Sequence, residues 1–89
     1  MLKIAEYNTI TGEKVDLKEL EKYGMKYNPS SECYIDDYSF QLLCIYESDR
    51  ELQIDINNNA FGFSKDYAEI VERATNILYD LIKDGLVVK

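Results

Sequence analysis

The side chains of this chain that favour a particular chemistry are its carboxylates and tyrosines, and that chemistry is the binding of basic groups. Residues 30–64 carry seven acids and one base, Arg50, so this segment holds six of the seven net negative charges. Tyr34, Tyr38 and Tyr46 lie in the same segment. Tyrosine buries a large area at interfaces and keeps a polar tip. The segment is therefore a candidate docking surface for a basic protein.

The acids best suited to such docking fall in two short stretches. The predicted partner-binding residues are Asp36, Asp37, Tyr38, Glu47, Asp49 and Glu51. The first stretch precedes an apolar strand, and the second surrounds one end of a predicted hairpin. Carboxylates would speed association with a basic protein surface, and the aromatic rings would contribute short-range burial. The alternative explanation is solubility, which surface Asp and Glu promote.

The sequence gives little support to catalysis or metal binding. The chain contains no histidine, which removes the commonest general base and the commonest metal ligand. It contains no phosphate-binding loop and no dinucleotide-binding glycine motif. Asp36 and Asp37 would point to opposite faces of a strand, so the pair indicates a turn rather than an acid–base site. We expect a non-enzymatic protein with no cofactor and no metal.

One calcium-like spacing has a simpler explanation as a hairpin. Asp55-x-Asn57-x-Asn59 matches the first three ligand positions of a calcium loop, but Ala60 stands where that loop needs glycine. A two-residue turn at Asn58-Asn59 also accounts for these residues, since asparagine tolerates positive φ. The turn would place four apolar side chains on one face. The predicted pairs are Ile56 with Phe61 and Ile54 with Phe63.

Charge and hydropathy predict the compartment and exclude two classes of partner. A net charge of −7 disfavours direct binding to nucleic acid and to anionic membrane surfaces. The longest apolar run, residues 42–46, is far too short to cross a bilayer. Cys33 and Cys44 do not form a C-x-x-C motif and are expected to be reduced thiols, although a disulfide between them stays open. We expect a cytoplasmic protein.

The order of predicted helices and strands that would position these residues indicates one α+β domain, residues 1–89. Asp16 and Gly24 bracket a short N-terminal helix, and Gly85 ends a long helix over residues 65–84. The long helix has apolar residues at helical spacing, which predicts one buried face made of Tyr67, Ile70, Val71, Ala74, Ile77, Leu78, Leu81 and Ile82. The predicted strands cover residues 2–7, 25–28, 33–35, 40–47, 52–56 and 61–63, and residues 86–88 could close as a short terminal strand. Residues 25–28 and 33–35 are predicted to form a hairpin around Pro29-Ser30-Ser31. We expect an antiparallel sheet of about five to six strands, with the long helix packed on one face.

The strand Phe40–Tyr46 is apolar on both faces, which suggests a second function. Phe40, Leu42, Cys44 and Tyr46 alternate with Leu43 and Ile45, so both faces need cover. The short helix, the first strand or a second copy of the chain could provide it. The alternative to partner docking is therefore a structural module that forms a homodimer through Phe40–Tyr46.

Two stretches resemble small proteins of phages and prophages from low-GC Gram-positive bacteria. They are residues 16–28, DLKELEKYGMKYN, and residues 78–89, LYDLIKDGLVVK, together 25 of the 89 residues. Neither stretch contains a catalytic or ligand signature, so the resemblance assigns no site residues. Small acidic phage proteins often inhibit host machinery, some by imitating the charge of nucleic acid. The resemblance thus implies an accessory factor that docks on a basic nucleic-acid-handling host protein.

Overall fold

The structure of the protein is a computed structural model that describes residues 1–37, 41–54 and 65–89. Of residues 65–67 it describes only the backbone. The described part is α+β, as predicted, with antiparallel strands and a long C-terminal helix. The strands are β1 (Lys3–Ile4), β2 (Lys26–Asn28), β3 (Cys33–Ile35), β4 (Leu43–Tyr46), β5 (Leu52–Ile54) and β6 (Val87–Val88). The helices are a 3-10 helix (Leu17–Tyr23) and α1 (Lys65–Lys83).

Four strands form a sheet in the order β2-β3-β4-β5, all antiparallel. The register pairs Tyr27 with Tyr34, Tyr34 with Ile45, and Ile45 with Leu52. Directly paired residues point to the same side of a sheet, so these four side chains line one face. The predicted hairpin of residues 25–28 with 33–35 is confirmed. Ile35, on the opposite face, is buried as well.

Helix α1 packs on the face of the sheet that carries Tyr34, Leu43 and Ile45. Its buried residues recur at helical spacing and join the same hydrophobic core. They are Ile70, Ala74, Ile77 and Leu81. The predicted helix is confirmed, but the expectation that Ile82 lies in its buried stripe is wrong. Ile82 is 53% exposed, because it lies about 100° around the axis from Leu81 and points away from the sheet.

The N-terminal helix has the predicted ends but a tighter winding. Asp16 caps it, since its Oδ1 accepts a hydrogen bond from the Lys18 N–H at 3.0 Å. Gly24 closes it in the left-handed conformation, at φ 91°. The seven residues between these caps form a 3-10 rather than an α-helix. A segment this short gains few i→i−4 bonds before its C-cap, which favours i→i−3 bonding.

The predicted single sheet is divided in two. β1 pairs with β6 in a separate two-stranded sheet, with Lys3 opposite Val88. One isolated bridge, between Lys3 and Glu51, connects this pair to the chain just before β5. Arg50 has φ 62°, so its backbone is not extended and the ladder cannot continue past it. The described strands number six, in the expected range, but they form sheets of four and two.

Several predictions concern residues outside the described ranges. The Asn58-Asn59 turn and its pairing of Ile56 with Phe61 fall in residues 55–64. Phe40 and Tyr38 fall in residues 38–40. The calcium-loop alternative, which begins at Asp55, lies outside the described residues as well.

The close approach of the Asn8–Gly12 loop to Gly85 generates a stability prediction. Gly85 has φ 81°, and a Cβ there would lie 2.6 Å from Asn8 Oδ1 and 2.9 Å from Ile10 Cγ1. Gly85→Ala should therefore lower the free energy of unfolding by about 2 kcal/mol or more, combining backbone strain with a steric clash. The measurement is urea unfolding followed by circular dichroism.

Gly12→Ala is the matched control for this prediction. Gly12 also has positive φ, at 76°, but a Cβ there would meet no atom within 4 Å. Only backbone strain is added, so the expected loss is about 1 kcal/mol. Equal losses at the two positions would contradict the steric contribution at Gly85.

Candidate functional site

Two turns meet at the same end of the four-stranded sheet. Cys33, the first residue of β3, pairs with Tyr46, the last residue of β4. The β2–β3 turn and the β4–β5 turn are therefore neighbours, and the Glu47 N–H donates to the Glu32 carbonyl at 3.1 Å. We call residues 29–32 and 47–50 the turn end. It gathers carboxylates from two turns that lie far apart in sequence.

Three predicted partner-binding residues lie at or beside the turn end. Glu47 and Asp49 are exposed, and Glu51 is half-buried where it pairs with Lys3. Asp49 Oδ1 accepts the Glu51 N–H at 2.9 Å, which fixes the turn locally. Glu32 was not among the predicted partner-binding residues, but it is exposed next to Glu47.

The other predicted residues lie at the opposite end of the sheet. Asp36 follows β3 and bonds to Leu43, the first residue of β4. β4 separates this end from the turn end by about 10 Å, at about 3.4 Å for each residue step. The six predicted residues therefore do not form one patch. Tyr38 lies outside the described residues.

Asp36 is buried, so it is removed from the surface on which a partner could dock. It is 2% exposed, and its Oδ1 accepts the Leu43 N–H at 2.9 Å. The carboxylate takes the place of a backbone acceptor for the Leu43 N–H at the point where the β3–β4 pairing ends. This bond draws the side chain into the core. Its Oδ2 is buried without a hydrogen-bond partner. The sequence placed Asp36 on the surface because an Asp-Asp pair usually marks an exposed turn.

Burial raises the pKa of the Asp36 carboxyl above its ordinary value, and hydrogen bonds from backbone N–H groups offset part of this effect. Asp37 behaves differently, because it reaches the surface. Its Oδ2 lies 3.4 Å from Arg73 Nη1 in an ion pair whose arginine side chain is 56% exposed. An exposed pair of this kind contributes little to stability.

Arg50, the single base of the acidic segment, is engaged with the protein itself. Its Nη1 donates to the Ala5 carbonyl at 2.9 Å, and its Nη2 donates to the Val15 carbonyl at 3.0 Å. The guanidinium therefore ties the β4–β5 turn to the chain after β1 and to the residue before the Asp16 cap. Sequence reasoning had no signal for this role, because an arginine in a loop usually faces solvent.

A cleft of about 580 Å³ lies beside the turn end. The 3-10 helix and its cap form one wall, β2 and β3 contribute two tyrosines, and the β4–β5 turn forms the other wall. The lining residues are Asp16, Leu17, Lys18, Glu21, Tyr27, Tyr34, Glu47 and Arg50. Of the predicted site residues that the structure describes, Glu47 alone lines it. The register of the predicted β2–β3 hairpin, which places Tyr27 opposite Tyr34, was the signal that could have located this cleft.

Hydrogen bonding and ring packing hold the two tyrosines in place. The rings of Tyr27 and Tyr34 lie 5.2 Å apart between centroids, edge to face, with planes inclined by 62°. The Tyr27 hydroxyl donates to Glu47 Oε2 at 2.6 Å. This bond, with burial and the Glu47 charge, raises the pKa of Tyr27 to about 12. Tyr27 thus keeps its proton and stays a donor at neutral pH.

Burial also raises the pKa of Tyr34, and the carboxylates of Glu21, Glu47 and Asp16 raise it further. These carboxylates belong to both walls of the cleft, because Asp16 and Glu21 lie on the helix side and Glu47 on the β4–β5 side. An arrangement of rings and carboxylates can bind a cation, through the ring faces and through charge. It does not suit an anion such as phosphate.

The described residues provide no other candidate site. Within residues 1–37, 41–54 and 65–89, no group of three or more His, Cys, Asp or Glu residues is arranged to hold a metal ion. A search of the same ranges finds no helix with the length and apolarity that crossing a bilayer requires. A smaller cleft of about 240 Å³ lies between Glu6, Tyr7, Lys14 and Arg50, where the acids and bases balance.

Comparisons of the chain with protein-family models, curated proteins and solved structures returned no match. The resemblance of residues 16–28 and 78–89 to phage and prophage proteins therefore stays a prediction. The function has to be argued from the geometry of the turn end and the cleft.

Arg50 generates the first prediction about this site. Arg50→Lys keeps the charge, but an ammonium cannot donate to both carbonyls in the geometry of the planar guanidinium. We therefore expect a loss of about 1–3 kcal/mol in the free energy of unfolding. Arg73→Lys is the control, because its exposed pair with Asp37 should contribute less than about 1 kcal/mol. Urea titration measures the free energy of unfolding of both variants. Equal small losses would show that the two guanidinium hydrogen bonds of Arg50 are dispensable.

Asp36 generates the second prediction, with a defined sign. Because its pKa is raised on folding, the folded protein holds a proton that the unfolded chain releases near pH 4, and stability falls as pH rises above that value. Asp36→Asn mimics the protonated acid and removes this dependence. The stability of Asp36→Asn relative to the natural chain should therefore be greater at pH 7 than at pH 4.

Urea unfolding at the two pH values measures this difference. Asp49→Asn is the control: Asp49 is exposed and asparagine can still accept the Glu51 N–H, so this variant makes the same substitution without changing a buried group. If the stability of Asp36→Asn relative to the natural chain is the same at both pH values, the raised pKa of the buried Asp36 carboxyl is contradicted.

Proposed function

We propose that the protein is a non-enzymatic accessory factor of phage type that docks on the basic surface of a nucleic-acid-handling protein and inhibits it, partly through charge mimicry. The docking surface is the turn end together with the adjoining cleft. Of the predicted binding residues, Glu47 and Asp49 belong to this surface, and Glu51 lies beside it.

One observation supports this proposal: carboxylates from two separate segments line the cleft beside a pair of tyrosine rings. Glu47 comes from the β4–β5 turn, and Asp16 and Glu21 come from the cap and body of the 3-10 helix. Glu32 is exposed in the adjoining β2–β3 turn. A potential of one sign attracts an opposite surface over a long range and raises the association rate. The tyrosine rings add burial after contact.

The engagement of Arg50 strengthens this charge asymmetry. Its two terminal nitrogens donate to backbone carbonyls, and the described residues show no ion pair between this guanidinium and a turn-end carboxylate. The surface thus presents acids from a segment whose single base is occupied internally. Cys33 and Cys44 support a cytoplasmic setting, because the Cys44 thiol donates to the Gln41 carbonyl at 3.6 Å.

The proposal predicts salt-sensitive capture that depends on one end of the sheet. A triple variant, Glu32→Gln, Glu47→Gln and Asp49→Asn, removes three turn-end charges. We expect it to recover a specific partner from a lysate of the source organism about tenfold less at low salt, since each exposed charge contributes about 0.2–1 kcal/mol. Quantitative mass spectrometry at low and high salt measures the recovery.

The control removes the same number of charges elsewhere. Glu13→Gln, Glu69→Gln and Glu72→Gln change exposed residues outside the turn end and the cleft. This variant should capture the partner as the natural chain does. Equal loss in both variants would indicate a general charge effect, and recovery that is indifferent to salt would contradict the proposal.

Self-association is the second candidate function, favoured by an exposed apolar patch. Tyr79 and Ile82 are 64% and 53% exposed one turn apart on α1, and Ile10 lies against Gly85 just beyond the helix. A homodimer by strand addition to β4 would have no free edge, because β3 and β5 flank β4 on both sides. A homodimer through β4 would therefore have to use a sheet face, whereas the α1 patch offers an exposed apolar surface for self-association.

Light scattering at high concentration separates the two candidates. We expect the mass of a single 10.4 kDa chain, because docking on a foreign partner needs no second copy. A doubled mass that Ile82→Lys reduces to that of one chain would favour self-association instead. Tyr7→Lys, at another exposed position, is the control for added charge.

A further inference from the structure

The cleft beside the turn end has walls of three kinds. One wall is the start of the 3-10 helix, with Asp16 and Glu21. The middle is formed by the inclined rings of Tyr27 and Tyr34, and the far wall by Glu47. A volume of about 580 Å³ is large enough for a long side chain with part of its backbone.

The cleft selects for a positive ligand. Three of its lining residues are acids and two are bases. Arg50 directs both of its terminal nitrogens to backbone carbonyls, and Lys18 is exposed on the helix wall. The acids also come from both sides of the cleft, with Asp16 and Glu21 on the helix wall and Glu47 on the opposite wall. A cation placed over the rings would therefore meet carboxylates from both walls.

We infer that this cleft receives an arginine side chain of the basic partner, with the guanidinium against the Tyr27 ring and bonded to Glu47. The inference rests on the proposed function, because it identifies the chemical group by which the docking surface recognises its partner. The Tyr27 hydroxyl occupies Glu47 Oε2, but a carboxylate has about four acceptor positions, so Glu47 can accept further N–H donors.

Arginine fits this cleft better than lysine for geometric reasons. A guanidinium is planar, stacks on aromatic faces and donates up to five hydrogen bonds in a fixed fork. Two rings inclined by 62° and carboxylates on opposite walls match a flat group with donors on several sides. An ammonium is a compact, strongly hydrated point charge and uses neither ring inclination nor carboxylate spacing.

The test uses three capped tripeptides, Gly-Arg-Gly, Gly-Lys-Gly and Gly-citrulline-Gly, titrated into the ¹⁵N-labelled full chain. Chemical shifts of residues around the cleft give the dissociation constants. We expect the arginine peptide to shift the signals of Tyr27, Tyr34 and Glu47 and to bind at least threefold more tightly than the lysine peptide. The neutral citrulline peptide, which keeps the shape without the charge, should not bind.

Variants then assign the interaction to named groups. Glu47→Gln should weaken arginine binding about tenfold, because a charge-assisted hydrogen bond is lost. Tyr27→Leu should weaken it about fivefold through loss of the ring face. If Tyr27→Leu fails to fold, Glu21→Gln provides a second test, since Glu21 is exposed and its substitution only removes charge. Glu72→Gln, on α1 outside the cleft, should leave binding unchanged.

The outcomes distinguish this inference from the proposed function. Absence of shifts at the cleft, equal binding of the lysine or citrulline peptide, or insensitivity to Glu47→Gln would overturn the arginine site. Salt-dependent capture that the turn-end triple variant abolishes would still support docking in that case. Conversely, arginine binding at the cleft with capture indifferent to the turn end would support the site and overturn the proposed docking surface.

Discussion

The two hydrogen bonds from the Arg50 guanidinium connect parts of the molecule that are distant in sequence. One reaches the Ala5 carbonyl after β1, and the other reaches the Val15 carbonyl just before the 3-10 helix. The Arg50 backbone adds a third tie, because its carbonyl accepts the Ile4 N–H at 2.9 Å. A partly buried carbonyl that loses its partner carries a desolvation cost, so this side chain helps to hold both N-terminal elements in place.

The same bonds determine how charge is distributed on the surface. Because the guanidinium faces inward, the carboxylates of Glu47 and Asp49 in its own turn are not paired with it. Because the guanidinium also holds the segment before Asp16, the start of the 3-10 helix lies across from the tyrosines of β2 and β3. One interaction therefore both builds the wall of the cleft and leaves the turn end acidic. The two Arg50 hydrogen bonds therefore affect both the fold and the candidate docking surface.

Local signals predicted the elements of the fold well, and long-range placement less so. Asp16, Gly24 and Gly85 act through their own backbone neighbourhoods, so the sequence identifies them as helix ends. The turn residues Pro29-Ser30-Ser31 likewise predicted the β2–β3 hairpin. Three features depend instead on contacts between distant segments, and the sequence could not show them. These features are the inward Arg50, the buried Asp36 and the separate pairing of β1 with β6.

If the turn end docks on a basic protein as proposed, salt rather than pH should govern that association near neutrality. The chain has no histidine, so it lacks the side chain whose ordinary titration falls between pH 5 and 8. Tyr27 keeps its proton until far above that range, because its pKa is about 12. Asp36, whose pKa is raised, lies about 10 Å from the turn end along β4. Its titration therefore affects the stability of the fold more than it affects the charge of the cleft. Ions in solution, in contrast, screen exposed carboxylates at every pH. A partner that recognises this surface would therefore respond to ionic strength and be nearly insensitive to small changes in pH.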